Sequence, residues 1–257
     1  MKILAIGDPH GHFNLIKKIN LDADLILVTG DIGKSDLMRK MAFENQDRAR
    51  MGLPKKNFSN AMRKRAYMES YRSAMKIVRY LSKKKVFVIF GNADYTNYAV
   101  RKLGKRIGED LPKLYDDLNA LKNVSVINNR IRNFNGVRIG GLEYFLDVCW
   151  AKEFNGPMDI ARVDTKKVRK ILNWFGKVDI LLCHQPPYGV LDKVSFKGAP
   201  KHWKGKKAGS KVVLDYIKRK KPSFVFCGHI HEGEGYKKVG SSKVYNLGIC
   251  GSKIVKF

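Results

Sequence analysis

Five short apolar runs along the chain each end in a carboxylate, a carboxamide or an imidazole: LAIGDPHGH, LILVTGD, VFVIFGNAD, ILLCHQPP and FVFCGHIH. Runs of this length, bounded by Gly and polar residues, predict buried strands near 2–7, 24–29, 85–90, 178–183 and 222–227. The stretches between them repeat their apolar residues at helical spacing, so both ends of the chain read as alternating strand and helix. In the middle, VSVIN, RIRNF and VRIGGLEYF are shorter and alternate in polarity. The Asn-Asn and Asn-Gly pairs that separate them predict antiparallel hairpins. The segment VYNLGICGSKIVKF closes the chain. The pattern predicts an α/β fold of two facing mixed sheets with helices outside, without internal repeats.

Polar groups at the carboxyl ends of strands matter because ligand sites in open α/β sheets form there. Asp8, His10, His12, Asp31, Asn92, His184, His229 and His231 all occupy such ends, and they include five of the six histidines. Imidazoles, carboxylates and one carboxamide, with no thiolate among them, suit borderline divalent metals such as Mn, Fe, Ni or Zn. Asp8-Pro9-His10 places two ligands on one tight loop between Gly7 and Gly11, and His229-Ile230-His231 repeats the device on an extended segment. A single D-x-H or H-x-H has an ordinary explanation, since a lone His beside an apolar run is more often a hydrogen-bonded structural residue. Five such strand ends in order do not share that explanation.

The length of 257 residues suits one domain over 1–257. About sixty residues separate Asp31 from Asn92, far more than the ~10–12 of a minimal crossover, which predicts a helical insertion at about 38–82. Residues 38–85 hold 15 Lys or Arg against three acids, and six of the eight methionines. Leu53-Pro54 marks the break between two helices. Such a basic pair either contacts a polyanion or, the favoured expectation, packs its Met, Tyr and Leu residues on the core while its lysines are solvated. The whole chain has 51 Lys and Arg against 23 Asp and Glu, a formal charge of +28. That excess fits a polyanionic partner and equally a solvated Lys-rich surface. Cys149, Cys183, Cys227 and Cys250 form no CxxC pair, and Cys183 and Cys227, within apolar runs, read as buried thiols of a reducing compartment. With no leader-like apolar core and no run near the ~20 residues of a membrane span, the expectation is a cytoplasmic protein with no membrane partner.

Taken together, Asp8-Pro9-His10, Gly30-Asp31, Gly91-Asn92-Ala93-Asp94, His184 and Gly228-His229-Ile230-His231 resemble the ordered signature of the calcineurin-like metallophosphoesterases. HQPPYGVLD followed by GHIHEG looks most like the branch that includes cyclic-nucleotide-type phosphodiesterases. The resemblance implies a two-sheet αββα sandwich and two divalent ions, Mn most favoured, with Fe, Ni or Zn as alternatives. It assigns Asp8, His10 and His231 to the first ion, Asn92, His184 and His229 to the second, and Asp31 to both. It further implies in-line attack of a bridging hydroxide on a phosphate ester, of nucleotide or nucleic-acid type, with clamping of the attacking and leaving oxygens. Ala93 departs from the pattern, because the fuller motif has a His there that helps the leaving group depart. His12 is the candidate replacement acid, or else a residue that orients a ligand; Asn92 and His12 are the candidate catalytic residues, and His202 is more remote. The glycine-rich segment 198–209, with Lys201, Lys204, Lys206, Lys207 and Trp203, and the residues Tyr95, Tyr98 and Tyr188 are candidates for the rim of the site. The alternatives are a phosphomonoesterase and a basic nucleic-acid-binding protein with a structural metal site.

Overall fold

The computed structural model describes residues 1–197, 199 and 201–257. The elements run β1 (Lys2–Ile6), α1 (Phe13–Ile16), β2 (Leu25–Val28), α2 (Asp36–Arg50), α3 (Asn60–Leu81), β3 (Lys85–Val88), α4 (Asn97–Ile107), α5 (Leu114–Asn119) and β4 (Val124–Val126) in the first half. They continue with β5 (Arg130–Phe134), β6 (Val137–Leu142), α6 (Val148–Phe154), α7 (Met158–Phe175), β7 (Ile180–Cys183), α8 (Lys211–Lys220), β8 (Phe224–Cys227), β9 (Gly235–Val239), β10 (Ser242–Asn246) and β11 (Ser252–Lys256). One sheet has the order β11-β1-β2-β3-β4 and the other β5-β6-β7-β8-β10-β9. Within each, the central strands are parallel and an antiparallel strand closes an edge.

Strands buried on both faces need apolar residues at nearly every position, which is why the runs are continuous. In β1, Ile3 and Ala5 face the second sheet, where Ile180, Leu182 and Phe226 meet them. Leu4 and Ile6 face the other way, under Ala74, Ile77, Val78 and Leu81 of α3. On the second sheet, Leu181, Cys183, Val225 and Cys227 lie under Leu172 and Phe175 of α7 and Val213 and Tyr216 of α8. The layers are helix, sheet, sheet, helix, the predicted αββα sandwich. No helix among the described residues is long and apolar enough to cross a membrane.

One reading of the middle of the chain changes, and the end of the chain gains detail. The Asn128-Asn129 pair is not a hairpin turn, because β4 pairs in parallel with β3, Val86 opposite Val124. Asn128 instead caps the crossing between sheets, its Oδ1 accepting from Phe90 N at 2.8 Å. Asn135-Gly136 is the true hairpin turn: both residues have positive φ, 47° and 84°, as a two-residue turn of this type requires. The closing segment divides, β10 joining the second sheet and β11 the first. β9, GYKKV, had no apolar run to announce it, since all its residues but Val239 are exposed at a sheet edge.

The break at Leu53-Pro54 falls between α2 and α3, and α3 starts at Ser59, whose Oγ accepts from Met62 N at 3.2 Å. α3 packs as expected, burying Tyr67, Met75 and Leu81. α2 does not: none of its residues is buried, so the expectation that its methionines fill the core is corrected. Met38 and Met41 face instead an open groove beside α3 and α4.

Candidate metal centre

Every ligand candidate sits on the turn that follows a strand. Asp8 and His10 follow β1, Asp31 follows β2, and Asn92 follows β3, all in the first sheet; His184 follows β7, and His229 and His231 follow β8, in the second. Tight turns in opposite senses are needed to aim these side chains at one point. His10, Asp31 and His229 accordingly have φ of 42°, 46° and 66°, a region that costs a residue other than Gly about 1–3 kcal/mol and that clusters at functional sites. Gly228 permits close approach, since a Cβ there would lie 2.1 Å from Asp8 Oδ1.

Two clusters of donor atoms result. In the first, His231 Nε2 lies 3.2 Å from Asp8 Oδ2 and 3.2 Å from His10 Nε2, which lies 3.6 Å from Asp31 Oδ2. In the second, Asn92 Oδ1 lies 3.0 Å from His184 Nε2 and 2.8 Å from His229 Nδ1, and His184 Nε2 lies 3.7 Å from Asp31 Oδ2. Asp31 Oδ2 thus lies beside a ring nitrogen of each cluster, and Asp8 borders both, its Oδ1 being 3.8 Å from His184 Nδ1. Ligands each about 2.1 Å from one ion are about 3.0–3.4 Å apart in octahedral or tetrahedral arrangement, close to these separations.

The chemistry of the donors fits a cation as well. His184 Nδ1 lies 2.9 Å from the carbonyl of Thr29, which can only accept, so Nδ1 carries the hydrogen and Nε2 of the neutral ring presents a lone pair. That lone pair faces Asn92 Oδ1 and Asp31 Oδ2, both acceptors, an arrangement that is stable only with a proton or a cation among them. In the ion-free protein burial disfavours charge on His184, but Asp31 and Asp8 outweigh it and raise the ring's pKa. Burial likewise lowers the pKa of His10 and, strongly, of His229, which keeps their lone pairs available. Burial works against the Asp8 carboxylate too, yet His184 and His231 hold its pKa well below the ordinary value.

The supports include groups the sequence reading missed. Thr29, the one polar side chain within LILVTGD before its Gly-Asp, donates from Oγ1 to Asp8 Oδ1 at 2.5 Å while its carbonyl orients His184. Ala93 contributes its backbone: its N–H donates to Asp31 Oδ1 at 2.7 Å, leaving Oδ2 for the shared position. Asp94 accepts from Gly91 N and Ile32 N at 2.9 and 3.0 Å and so holds the Asn92 loop. The Tyr144 ring lies 6.0 and 5.5 Å from those of His184 and His229.

Other candidates lie elsewhere. His12 precedes α1 without a capping hydrogen bond from its side chain, and that exposed side chain lines a shallow depression with Phe13 and Lys76, without a hydrogen bond to the ligand set. His202 is exposed, and Trp203 packs edge-on against Phe154, 5.2 Å between centroids, rather than standing free at the rim. Residues 198 and 200 of that segment lie outside the described residues. Tyr188 is flanked by Lys207 and Lys211, Tyr98 is exposed, and Tyr95 packs against Tyr67.

Comparison with known proteins bears on the family and the fold. An uncharacterized protein of Methanocaldococcus jannaschii is 29% identical over 140 residues, 53% of this chain and 59% of that protein, so the chain spans less than two thirds of this relative. Among solved structures, the phosphopantetheinyl hydrolase of Mycobacterium tuberculosis matches with a TM-score of 0.55 at 13% identity, covering 96% of this chain and 89% of that one. A dimetal phosphatase from Danio rerio matches with a TM-score of 0.53 at 13% identity, covering 98% and 88%. At such identities these two show the shared fold. The calcineurin-like phosphoesterase profile matches residues 1–233, nearly the whole chain, and the chain belongs to that family.

Proposed function

We propose that this chain is a phosphodiesterase dependent on two divalent metal ions, Mn²⁺ foremost, acting on nucleotide or nucleic-acid phosphodiesters. The observation that carries the reading is the position of Asp31 Oδ2, 3.6 Å from His10 Nε2 and 3.7 Å from His184 Nε2, from which one carboxylate oxygen would serve two ligand sets. Asp8, His10 and His231 would complete one set, and Asn92, His184 and His229 the other. Ions held there supply Lewis-acid stabilisation of phosphoryl oxygens and lower the pKa of water.

The protein's own part is positioning. Thr29 and the His229 N–H fix both oxygens of Asp8, and the Ala93 N–H fixes Asp31, so the negative charge that offsets the ions does not reorganise during reaction. Ala93 is 3% exposed and brings no acid to the site. The reading therefore favours esters whose leaving group departs without a strong proton donor. The charge of +28 favours approach of an anionic substrate.

Stripped protein, reloaded with Mn²⁺, would be assayed on bis-p-nitrophenyl phosphate and p-nitrophenyl phosphate side by side. Faster Mn²⁺-dependent turnover of the diester is the expected result. A faster monoester rate would make the protein a phosphomonoesterase on the same ligands, and two bound ions with no turnover of either ester would refute the hydrolase reading for these substrate classes.

A further inference from the structure

The groove beside α2 is a second feature with its own chemistry. Its volume is about 380 Å³, within the range of small-ligand sites. Met38 and Met41 of α2 form one wall, and Tyr95 with Leu103 of α4 the other. Three cations line it as well: Arg63, Lys102 and Arg106.

These cations have no counter-charge. Among the described residues, no carboxylate lies within ion-pair distance of any of the three; the nearby Glu109 is taken by Lys64. The two guanidiniums converge on a neutral oxygen, Arg106 donating to Asn57 Oδ1 at 2.7 Å and Arg63 to the same atom at 3.4 Å. Arg63 also donates from Nε to the Phe58 carbonyl at 3.2 Å. Burial, and after it the neighbouring Arg106, makes Arg63 less basic than usual. Each guanidinium has five donors, so these few bonds leave most of them uncommitted. A protein that only needed to close this surface would place an acid between the arginines or turn the methionines inward. Here the methionines stay half-buried on the groove wall, on a helix with no fully buried residue.

We infer that this groove binds an amphipathic organic anion, its hydrocarbon part along the methionine and Tyr95 walls and its anionic group at Arg63 and Arg106. Arg suits this role because its planar fork meets the oxygens of a carboxylate, sulfonate or phosphate two at a time, and methionine adapts to flexible alkyl chains. The inference does not depend on the metal centre, and its test excludes that centre.

Calorimetric titration with 1-octanesulfonate, a poor metal ligand, on the full chain in EDTA is the direct measurement. Saturable binding of one molecule is expected, with a negative heat-capacity change from apolar burial, and at least tenfold tighter than 1-octanol or inorganic phosphate. The double substitution Arg63→Gln with Arg106→Gln should weaken it at least tenfold, and Met41→Trp, which fills the groove while keeping both arginines, should do the same. A pair of distant surface changes, Lys18→Gln with Lys122→Gln, should leave it unchanged and so separates the groove from the general positive charge. Should the arginine variant fail to fold, Met41→Trp decides. Affinity equal to that of octanol or of phosphate, undiminished binding in Met41→Trp, or equal loss in the distant lysine pair would each overturn the inference.

Discussion

Replacing Thr29 by Val tests how the centre is held. The substitution keeps the shape of the side chain and the backbone carbonyl that orients His184, and removes only the Oγ1 hydrogen bond to Asp8 Oδ1, 2.5 Å long and fully buried at both ends. Asp8 then retains its Oδ2 bond from His229 N at 2.6 Å, but Oδ1 loses its hydrogen-bond donor. A hydrogen bond to a charged group contributes about 1.5–3 kcal/mol. Where that loss falls on the ion-binding state, it corresponds to a decrease of roughly 10- to 150-fold in Mn²⁺ affinity, in line with the roughly 10- to 100-fold cost of losing an outer-shell partner. Titration calorimetry on stripped protein reads it directly. Thr29→Ser, which keeps the hydroxyl, should restore affinity to within a few-fold. In the ion-free protein the same loss lowers Tm by about 2–4 °C per kcal/mol for a chain of this size. Wild-type Mn²⁺ affinity in Thr29→Val, or a Ser variant as weak as the Val variant, would refute the argument that Thr29 fixes Asp8.

Asp31→Ala should reduce Mn²⁺ stoichiometry below two and lower hydrolysis of either aryl ester by more than about a hundredfold; two ions still bound would show that Oδ2 is not shared. Gly228→Ala drives a Cβ to 2.1 Å from Asp8 Oδ1, which cannot yield because Thr29 and His229 hold it. A stability loss of about 1–3 kcal/mol in urea melts, together with weakened Mn²⁺ binding, is expected, and a variant neutral in both would contradict it. Ser59→Ala removes the cap of α3 and should cost about 1 kcal/mol with Mn²⁺ affinity unchanged, because Ser59 touches none of the ligands.

Much of this was legible because two constraints leave strong traces. Strands covered on both faces write themselves as unbroken apolar runs, and the candidate ligands at their ends stand out as His, Asp and Asn after those runs. Where neither constraint acts, the trace fades. β9 is exposed on both faces and reads as GYKKV. Asn128-Asn129 has turn chemistry but links two sheets, a fact set by the partner β4 finds in β3 and not by the dipeptide. Ala93 acts through an N–H that every residue but proline possesses, so no side chain announces it. Met38 and Met41 have core-like composition and helical spacing, yet the surface they face is decided by where α4 lies, a tertiary matter that periodicity does not carry.

The division of the candidate ligands between the sheets, four residues after β1, β2 and β3 and three after β7 and β8, has a mechanical consequence. Ions bound there would rivet two layers otherwise held by side-chain packing and a few hydrogen bonds, such as His229 N–H to Asp8 Oδ2. At a hundredfold excess over its dissociation constant a bound ion adds about 2.7 kcal/mol to stability, applied where the sheets would otherwise part. Removal of metal should thus free the strand ends of both sheets first, in amide hydrogen exchange, while the middle of β1 and β7 stays protected. Metal supply would then govern the lifetime of the folded protein as well as its turnover.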